Sequence, residues 1–478
     1  MKNGHTVFYS LETCVEREKK GKMTEKMEWS DKKVLVVGTG VSGVAATDLL
    51  VEVGASVVLF DGNKELVAEE IKGKLKNTNG VEVVLGELSK DCIDALDCVV
   101  ISPGVPIDNP LVVSLREAGK KIIGEVELAY LLSKGKVAAI TGTNGKTTTT
   151  ALVGEILKAH YNSSFVVGNI GIPYTRMATQ IKEDSVVAAE ISSFQLETID
   201  TFQPEVSAVL NITPDHLNRH YTMDNYANTK LKITINQTAE QVCVLNYEDP
   251  ILREKAVLVP ARIFYFSSLQ ELEEGIYLDA DKNIVFAYQG KKEIVCNVEE
   301  LNLLGKHNYE NVMAGIAIGY FMNVPMECIR EVIKNFKAVE HRIEYVTEKN
   351  GVKYYNDSKG TNTDAAIQGI RAMVRKTILI GGGYDKGSEY DDWIEAFDGK
   401  VKLLVLLGQT SDKIEQCARK HGFDQIVKVQ SLQEAVDVCA KNAEPGEAVL
   451  LSPACASWGM FKNYEQRGDL FKEYVRNL

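Results

Sequence analysis

A chain of 478 residues has the length of about three domains. With hydrophobic residues at 45% and charged residues at 25%, it can bury several cores without disulfides or structural metals. Lys and Arg number 54 against 66 Asp and Glu, a formal net charge of −12, which excludes a nucleic-acid binder held by bulk charge and requires any anionic ligand to be caught by local devices. No apolar run reaches the roughly 18 residues of a membrane span, so no membrane insertion is expected. Nine cysteines are scattered from Cys14 to Cys455 without CxxC spacing, so neither a zinc site nor a redox pair is expected, and a reducing cytoplasm is.

Residues 1–32 are polar and charged (Glu16-Arg17-Glu18-Lys19-Lys20) and lack the apolar core of a signal peptide; they are read as a tail, with Met23 or Met27 as an alternative start. Val34–Val37 is a β-branched run that predicts a buried strand, followed by Gly38-x-Gly40-x-x-Gly43, a helix over Val44–Val53, and a strand from Ser56 to Phe60 ending at Asp61. Cys98–Ile101 then leads into Ser102-Pro103-Gly104. This βαβ rhythm predicts parallel strands in a Rossmann-like domain over residues 33–124. Its glycines let the backbone approach a pyrophosphate at a helix N-terminus, and NAD, FAD or a UDP-sugar would satisfy that geometry equally.

A second block, residues 125–338, opens with strand Val137–Ile140 and the turn Thr141-Gly142-Thr143-Asn144-Gly145-Lys146-Thr147. The leading glycine of a strict phosphate loop is missing, since Ile140 stands there. The physics is kept: backbone N–H donors, the Lys146 charge and a Thr147 hydroxyl suited to Mg²⁺ point to a nucleoside triphosphate. Further strands are expected at Phe165–Val167, Val186–Ala189 and Val206–Asn211, with a helix over Asn308–Phe321 and another after Pro325. Glu190, at the exit of a buried strand, is placed to hold the metal on ATP. His216 sits in the loop after a strand, where open α/β sheets bind ligands, whereas Lys230 reads as a solvated lysine on a helix opened by Asp224. Asn308 and Asn311 share a helix face and suit either an adenine edge or helix capping.

The third block, 339–478, alternates again, with strands at Lys353–Tyr355, Thr377–Ile380, Leu403–Leu407, Ile426–Val429 and Ala448–Leu451. Arg342 is suited to a phosphate and Asp357 to a ribose hydroxyl, which would close this domain over a nucleotide held by the second. The stretch Ser452–Gly468 follows a buried strand, and Cys455 within it has no nearby His, so packing rather than nucleophilic chemistry is expected of it. The chain therefore reads as three successive α/β domains: Rossmann-like, P-loop ATPase-type and Rossmann-like.

Thr141–Lys146, Ser102–Gly104, Ser192-Ser193-Phe194-Gln195-Leu196-Glu197 and Ser452–Gly468 together resemble the Mur ligase family, over nearly all the chain after residue 33. The resemblance implies cytoplasmic, ATP-dependent amide synthesis for peptidoglycan, within the branch that joins D-glutamate to UDP-N-acetylmuramoyl-L-alanine through an acyl phosphate. It implies catalytic roles for Lys146, Glu190, His216, Lys230, Arg342 and Lys359. ATP would be held by Gly142, Asn144, Gly145, Lys146, Thr147, Thr148, Asn169, Asn308, Asn311, Arg342 and Asp357. Thr147, Glu190, His216 and Lys230 would hold Mg²⁺, two ions being expected, with Lys230 carbamylated. UDP-sugar contacts would fall to Val41, Ser42, Asp61, Ser102 and Gly104, and amino-acid contacts to Thr361, Lys386, Ser457, Trp458 and Tyr464. A monomer is expected. Gly62-Asn63 departs from the Thr and Arg of some relatives. Two readings from other classes compete: a nicotinamide-dependent oxidoreductase, which leaves the phosphate loop without a task, and a non-catalytic nucleotide-binding scaffold.

Overall fold

The computed structural model describes residues 28–169, 171–303, 305–337 and 340–478. The tail expected through residue 32 lies outside the described residues up to residue 27; beyond that, Trp29 is only 4% exposed and packs into the first core.

Three sheets carry the chain. The first holds β1 (Lys33–Val37), β2 (Ser56–Asp61), β3 (Val81–Leu85), β4 (Cys98–Ile101) and β5 (Lys121–Gly124), ordered β3-β2-β1-β4-β5 and parallel throughout. Helix α1 (Val41–Glu52) starts three residues earlier than the sequence predicts, directly after Gly40. β3 and β5 were not legible as strands, because both carry exposed or half-buried positions.

Helix α2 (Glu125–Leu132) joins the first sheet to the second, and residues of both sheets share one apolar core. Buried Glu127 fastens it, accepting the backbone N–H groups of Asp200, Thr201 and Phe202.

The second sheet has β6 (Lys136–Thr141), β7 (Ser164–Gly168), β8 (Val186–Glu190), β9 (Val206–Val209), β10 (Val242–Asn246), β11 (Arg262–Ser267), β12 (Gly275–Leu278), β13 (Asn283–Tyr288) and β14 (Lys291–Asn297). Its order is β14-β13-β12-β11-β10-β9-β6-β8-β7, parallel except for the antiparallel meander β12–β14. β9 ends at Val209, short of the predicted Asn211, because Asn211 turns back to bond the phosphate loop. Helix α3 (Lys146–His160) follows β6, and α4 (Met223–Leu231) and α5 (Lys306–Phe321) complete the block's longer helices, with α6 (Met326–Asn335) after Pro325.

The third sheet, β15 (Glu344–Lys349), β16 (Val352–Asn356), β17 (Thr377–Gly381), β18 (Val401–Leu406), β19 (Ile426–Lys428) and β20 (Ala448–Leu451), runs β15-β16-β20-β17-β18-β19 with only β15 antiparallel. Helix α7 (Tyr464–Arg476) closes the chain. The loops after β6, β8, β9 and β16 gather at one place, as carboxyl ends of parallel strands do in open α/β sheets.

Candidate active site

The phosphate loop leaves β6 at Thr141 and enters α3 at Lys146. Gly145 has φ +85°, and a Cβ there would lie 2.2 Å from Asn311 Oδ1, so neither the turn nor its neighbour admits a side chain. Asn211 fixes the loop from β9: the Asn144 N–H donates to Asn211 Oδ1 at 2.8 Å, and Asn211 Nδ2 donates to Asn144 O at 3.1 Å.

Cations crowd this turn. Lys146 Nζ folds back to donate to Gly142 O and Thr143 O, both at 2.9 Å. Lys230, 2% exposed, donates to the same Gly142 O at 2.7 Å. The solvated lysine expected from composition is thus a buried one. Lys359 crosses from the third domain and donates to Thr147 Oγ1 at 2.8 Å, with its ammonium 5.5 Å from the centre of the Tyr464 ring. Burial lowers the proton affinity of all three. Lys230 falls well below its ordinary value through burial and the Lys146 charge, and Lys359 to about 8 through burial and Arg342. Lys146 is lowered by burial, with Glu190 and Asp215 opposing.

Glu190, 1% exposed at the end of β8, accepts from Asn169 Nδ2 at 2.9 Å through Oε1, while its Oε2 is buried without a partner. His216 has φ +54°, an uncommon backbone state outside glycine, and its Nε2 stands 3.4 Å from Asp215 Oδ2.

A cavity of about 370 Å³ adjoins the loop, lined by Asn144, Gly145, Thr148, Asn308, Asn311 and Arg342 among others. Asn308 lies inside α5, whose N-cap is Gly305, so the capping alternative for it does not hold. Asn311 Nδ2 donates to Asn308 Oδ1 at 3.3 Å. Asp357 does not line this cavity. It is fully buried, accepts from the Ile343 N–H at 3.3 Å and the Ser452 hydroxyl at 2.7 Å, and is pushed up to about 6 by burial. As placed, both its oxygens are bonded within its own domain.

A second cavity, about 610 Å³, opens on the first sheet and is lined by Gly38, Phe60, Asp61, Gly62 and Gly104 among others. Asp61 Oδ2 accepts from the Thr39 N–H at 3.2 Å and hydroxyl at 2.7 Å. Val41 (69% exposed) and Ser42 begin α1 and do not line it; nor does Ser102, whose Oγ is buried without a partner. In the third domain the Lys386 ammonium lies 6.0 Å from the Trp458 ring centre, Ser457 is buried beside it, and the Thr361 N–H donates to Lys359 O. Cys455 is buried against the Tyr390 and Thr410 hydroxyls, a packed thiol as expected.

Residues 32–124 match the sequence family described as "Mur ligase MurD-like, N-terminal domain", residues 140–319 "Mur ligase middle domain" and residues 341–455 "Mur ligase, glutamate ligase domain". A UDP-N-acetylmuramoylalanine--D-glutamate ligase of Lachnoclostridium phytofermentans is 60% identical over 452 residues, 95% of this chain and 99% of the relative. One of Lachnospira eligens is 55% identical over 452 residues, 95% of this chain and 100% of the relative. The chain belongs to the Mur ligase family. A MurF ligase from Thermotoga maritima in complex with ADP shares the fold of this Mur ligase at TM-score 0.58 and 17% identity, covering 95% of this chain and 97% of the other.

The partnerless Glu190 Oε2 and the Thr147 hydroxyl at the helix start are oxygen donors of the kind Mg²⁺ takes. Lys230 as an ammonium cannot ligate, and joins that set only as a carbamate. Sequence reasoning missed Arg219, His307 and Arg467. Arg219 Nη2 bonds Glu197 Oε2 at 2.5 Å and the Val105 carbonyl at 3.0 Å, tying the loop after β4 to the loop after β9. His307 lines the first cavity with its Nε2 buried and unpartnered. Arg467 grips Ser358 through Oγ at 2.9 Å and O at 2.7 Å. Only proximity in the fold reveals these partners, which lie far apart in the chain.

Proposed function

We propose that this Mur ligase joins D-glutamate to UDP-N-acetylmuramoyl-L-alanine at the expense of ATP, as its relatives are named for doing. The observation that carries the reading is the convergence of Lys146, Lys230 and Lys359 with Glu190 on one phosphate loop beside an amide-lined cavity. The first domain (33–124) takes the UDP-sugar, the second (125–338) ATP, and the third (339–478) the amino acid. Asn308 and Asn311 face the base, and the Lys146 and Arg342 charges offset the negative charge of the transferring phosphoryl group. Asn169 orients Glu190. Thr147, Glu190, His216 and a carbamylated Lys230 would hold Mg²⁺, which supplies charge neutralisation when bound.

A carboxylate is a poor electrophile, and phosphorylation provides the missing leaving group. The L-alanyl carboxylate oxygen attacks the γ-phosphorus, the bond to the bridging oxygen breaks, and ADP departs. The amine of D-glutamate then attacks the acyl carbon, loses a proton and expels inorganic phosphate. Thr361, Lys386, Ser457, Trp458 and Tyr464 receive the amino acid. The enzyme acts as a monomer in the cytoplasm.

Substrate labelled with ¹⁸O in the L-alanyl carboxylate should deliver one labelled oxygen to the released phosphate; unlabelled phosphate overturns the mechanism. Equal turnover of L-glutamate or glycine overturns the D-glutamate assignment. Burial and the Lys146 charge lower the proton affinity of Lys230, which favours the neutral amine that adds CO₂. With ¹³C-bicarbonate, a carbamate carbon signal should appear in the wild type and vanish in Lys230→Arg; its absence from both rules out the carbamate.

A further inference from the structure

In the third domain, away from the phosphate loop, three unlike ligand types meet. Asp391 opens the short helix Asp391–Glu395, while Cys417 and His421, four residues apart, lie along and just past the helix Ser411–Lys420. Their ligand atoms all lie within 4.8 Å of one another, and all three residues are half-buried. His421 Nε2 is 2.9 Å from Asp391 Oδ1. The other ring nitrogen, Nδ1, faces Glu395 Oε1 at 3.7 Å. At that distance the ring nitrogen is just short of a hydrogen bond to Glu395, the kind of carboxylate to which a metal-bound imidazole turns its free N–H.

We infer that Asp391, Cys417 and His421 form a site for one zinc-class divalent cation, with Glu395 orienting the histidine and solvent completing the coordination. A thiolate, an imidazole and a carboxylate form a set that zinc accepts and that magnesium, preferring oxygen alone, does not. Zinc needs its ligands roughly 3.5 Å apart, which follows from bonds of about 2.0–2.3 Å, and the present spacings, from 2.9 Å to within 4.8 Å, bracket that value. Lys420 Nζ, 2.9 Å from Asp391 Oδ1, competes for the carboxylate but is largely exposed and free to swing out. A thiol must lose its proton to ligate, so the Cys417 proton passes to solvent as the metal–sulfur bond forms. The absence of CxxC spacing concealed this arrangement, since its ligands come from two helices.

The bound cation would staple these helices. The shorter one ends the connection that begins at β17 and carries Lys386, and Tyr390, just before Asp391, bonds Cys455 at 3.2 Å. The site therefore lies behind the loop proposed to receive the amino acid, without belonging to it.

Cobalt(II) titration of the full chain in excess Mg²⁺ tests the proposal. One equivalent should produce a thiolate-to-cobalt charge-transfer band that is lost in Cys417→Ser. Glu395→Gln should keep the band with about tenfold weaker affinity, the usual effect of losing a ligand's supporting group. Zinc should raise the melting temperature of the wild type but not of His421→Gln, which keeps the test open if Cys417→Ser folds poorly. A cobalt spectrum without a thiolate band, or a band undiminished in both Cys417→Ser and His421→Gln, overturns the site.

Discussion

The molecule contains two strand–glycine turn–helix units, and they use their glycines differently. In the first domain a Cβ on Gly43 would lie 1.8 Å from Gly38 O and 3.0 Å from Ser102 Oγ. Those glycines let a helix press against its own turn, and among the described residues no Lys or Arg lines the adjoining cavity. In the second domain Gly145 makes room for Asn311, and the turn is ringed by Lys146, Lys230 and Lys359. The backbone device, N–H groups at a helix N-terminus, is shared. What separates the two turns is charge, supplied by Lys146 in the turn and by Lys230 and Lys359 from distant segments.

Breaking the second unit should have the largest effect. Lys146→Ala removes a buried cation fixed on the loop by two carbonyls. Turnover should fall roughly 10³-fold, the scale of losing one fixed charge-stabilising group at a reacting centre. Retained turnover in a phosphate-release assay would assign the loop to binding alone and erase the contrast between the two units.

Both turns were legible because a β-branched run, a glycine cluster and a helical pattern stand in sequence. The crowding around the second was not. Lys230 reads as solvated from its residue type alone, although it stands four residues after Tyr226 on the same buried helix face, and the packing of α4 under Gly142 buries it. Likewise β12 to β14 went unread, since a meander with exposed positions such as Ile294 lacks a clean alternation, and the parallel strands β10 and β11 went unread with them. Val206–Asn211 read as one strand because all but two of its residues are apolar, yet its last residues serve the phosphate loop. The clusters around Arg219 and His421 join segments that no spacing rule connects.

The junction between the two units offers the next effect. Glu125 follows β5 directly, and its Oε1 accepts from Gln195 Nε2 at 2.6 Å, whereas Oε2 is buried without a partner. Burial raises its proton affinity from 4.5 to about 7, against the lowering by Gln195. A folded-state value above the unfolded one favours the neutral acid in the fold. This group's contribution is therefore complete below pH 4.5 and disappears as pH rises through about 7. Glu125→Gln, which stays neutral, should become progressively more stable relative to wild type across that window. The full difference is about 3 kcal/mol, at about 1.4 kcal/mol per unit. Urea unfolding at pH 5 and pH 8 measures it; a wild type and variant with the same pH dependence would show that the carboxyl titrates normally.

The smallest effect probes how the recognition surface is held to the reactive one. Arg219 forks between Glu197 and the carbonyls of Pro103 and Val105, so it sets the loop beside Gly104 against the segment that carries His216. Removing the guanidinium outright would strand Glu197 as a buried charge and confuse folding with function. Arg219→Lys keeps the charge on Glu197 but gives up the planar fork that reaches both sides. Losing a charged hydrogen bond to a carbonyl is worth about 1.5 kcal/mol, or roughly tenfold. That loss should appear in the KM for the UDP-linked substrate, with the KM for ATP and kcat held, because the phosphate loop is anchored independently by Asn211. Equal rises in both KM values would mean that the two turns move as one body, and that the division drawn between them is one of charge but not of mechanics.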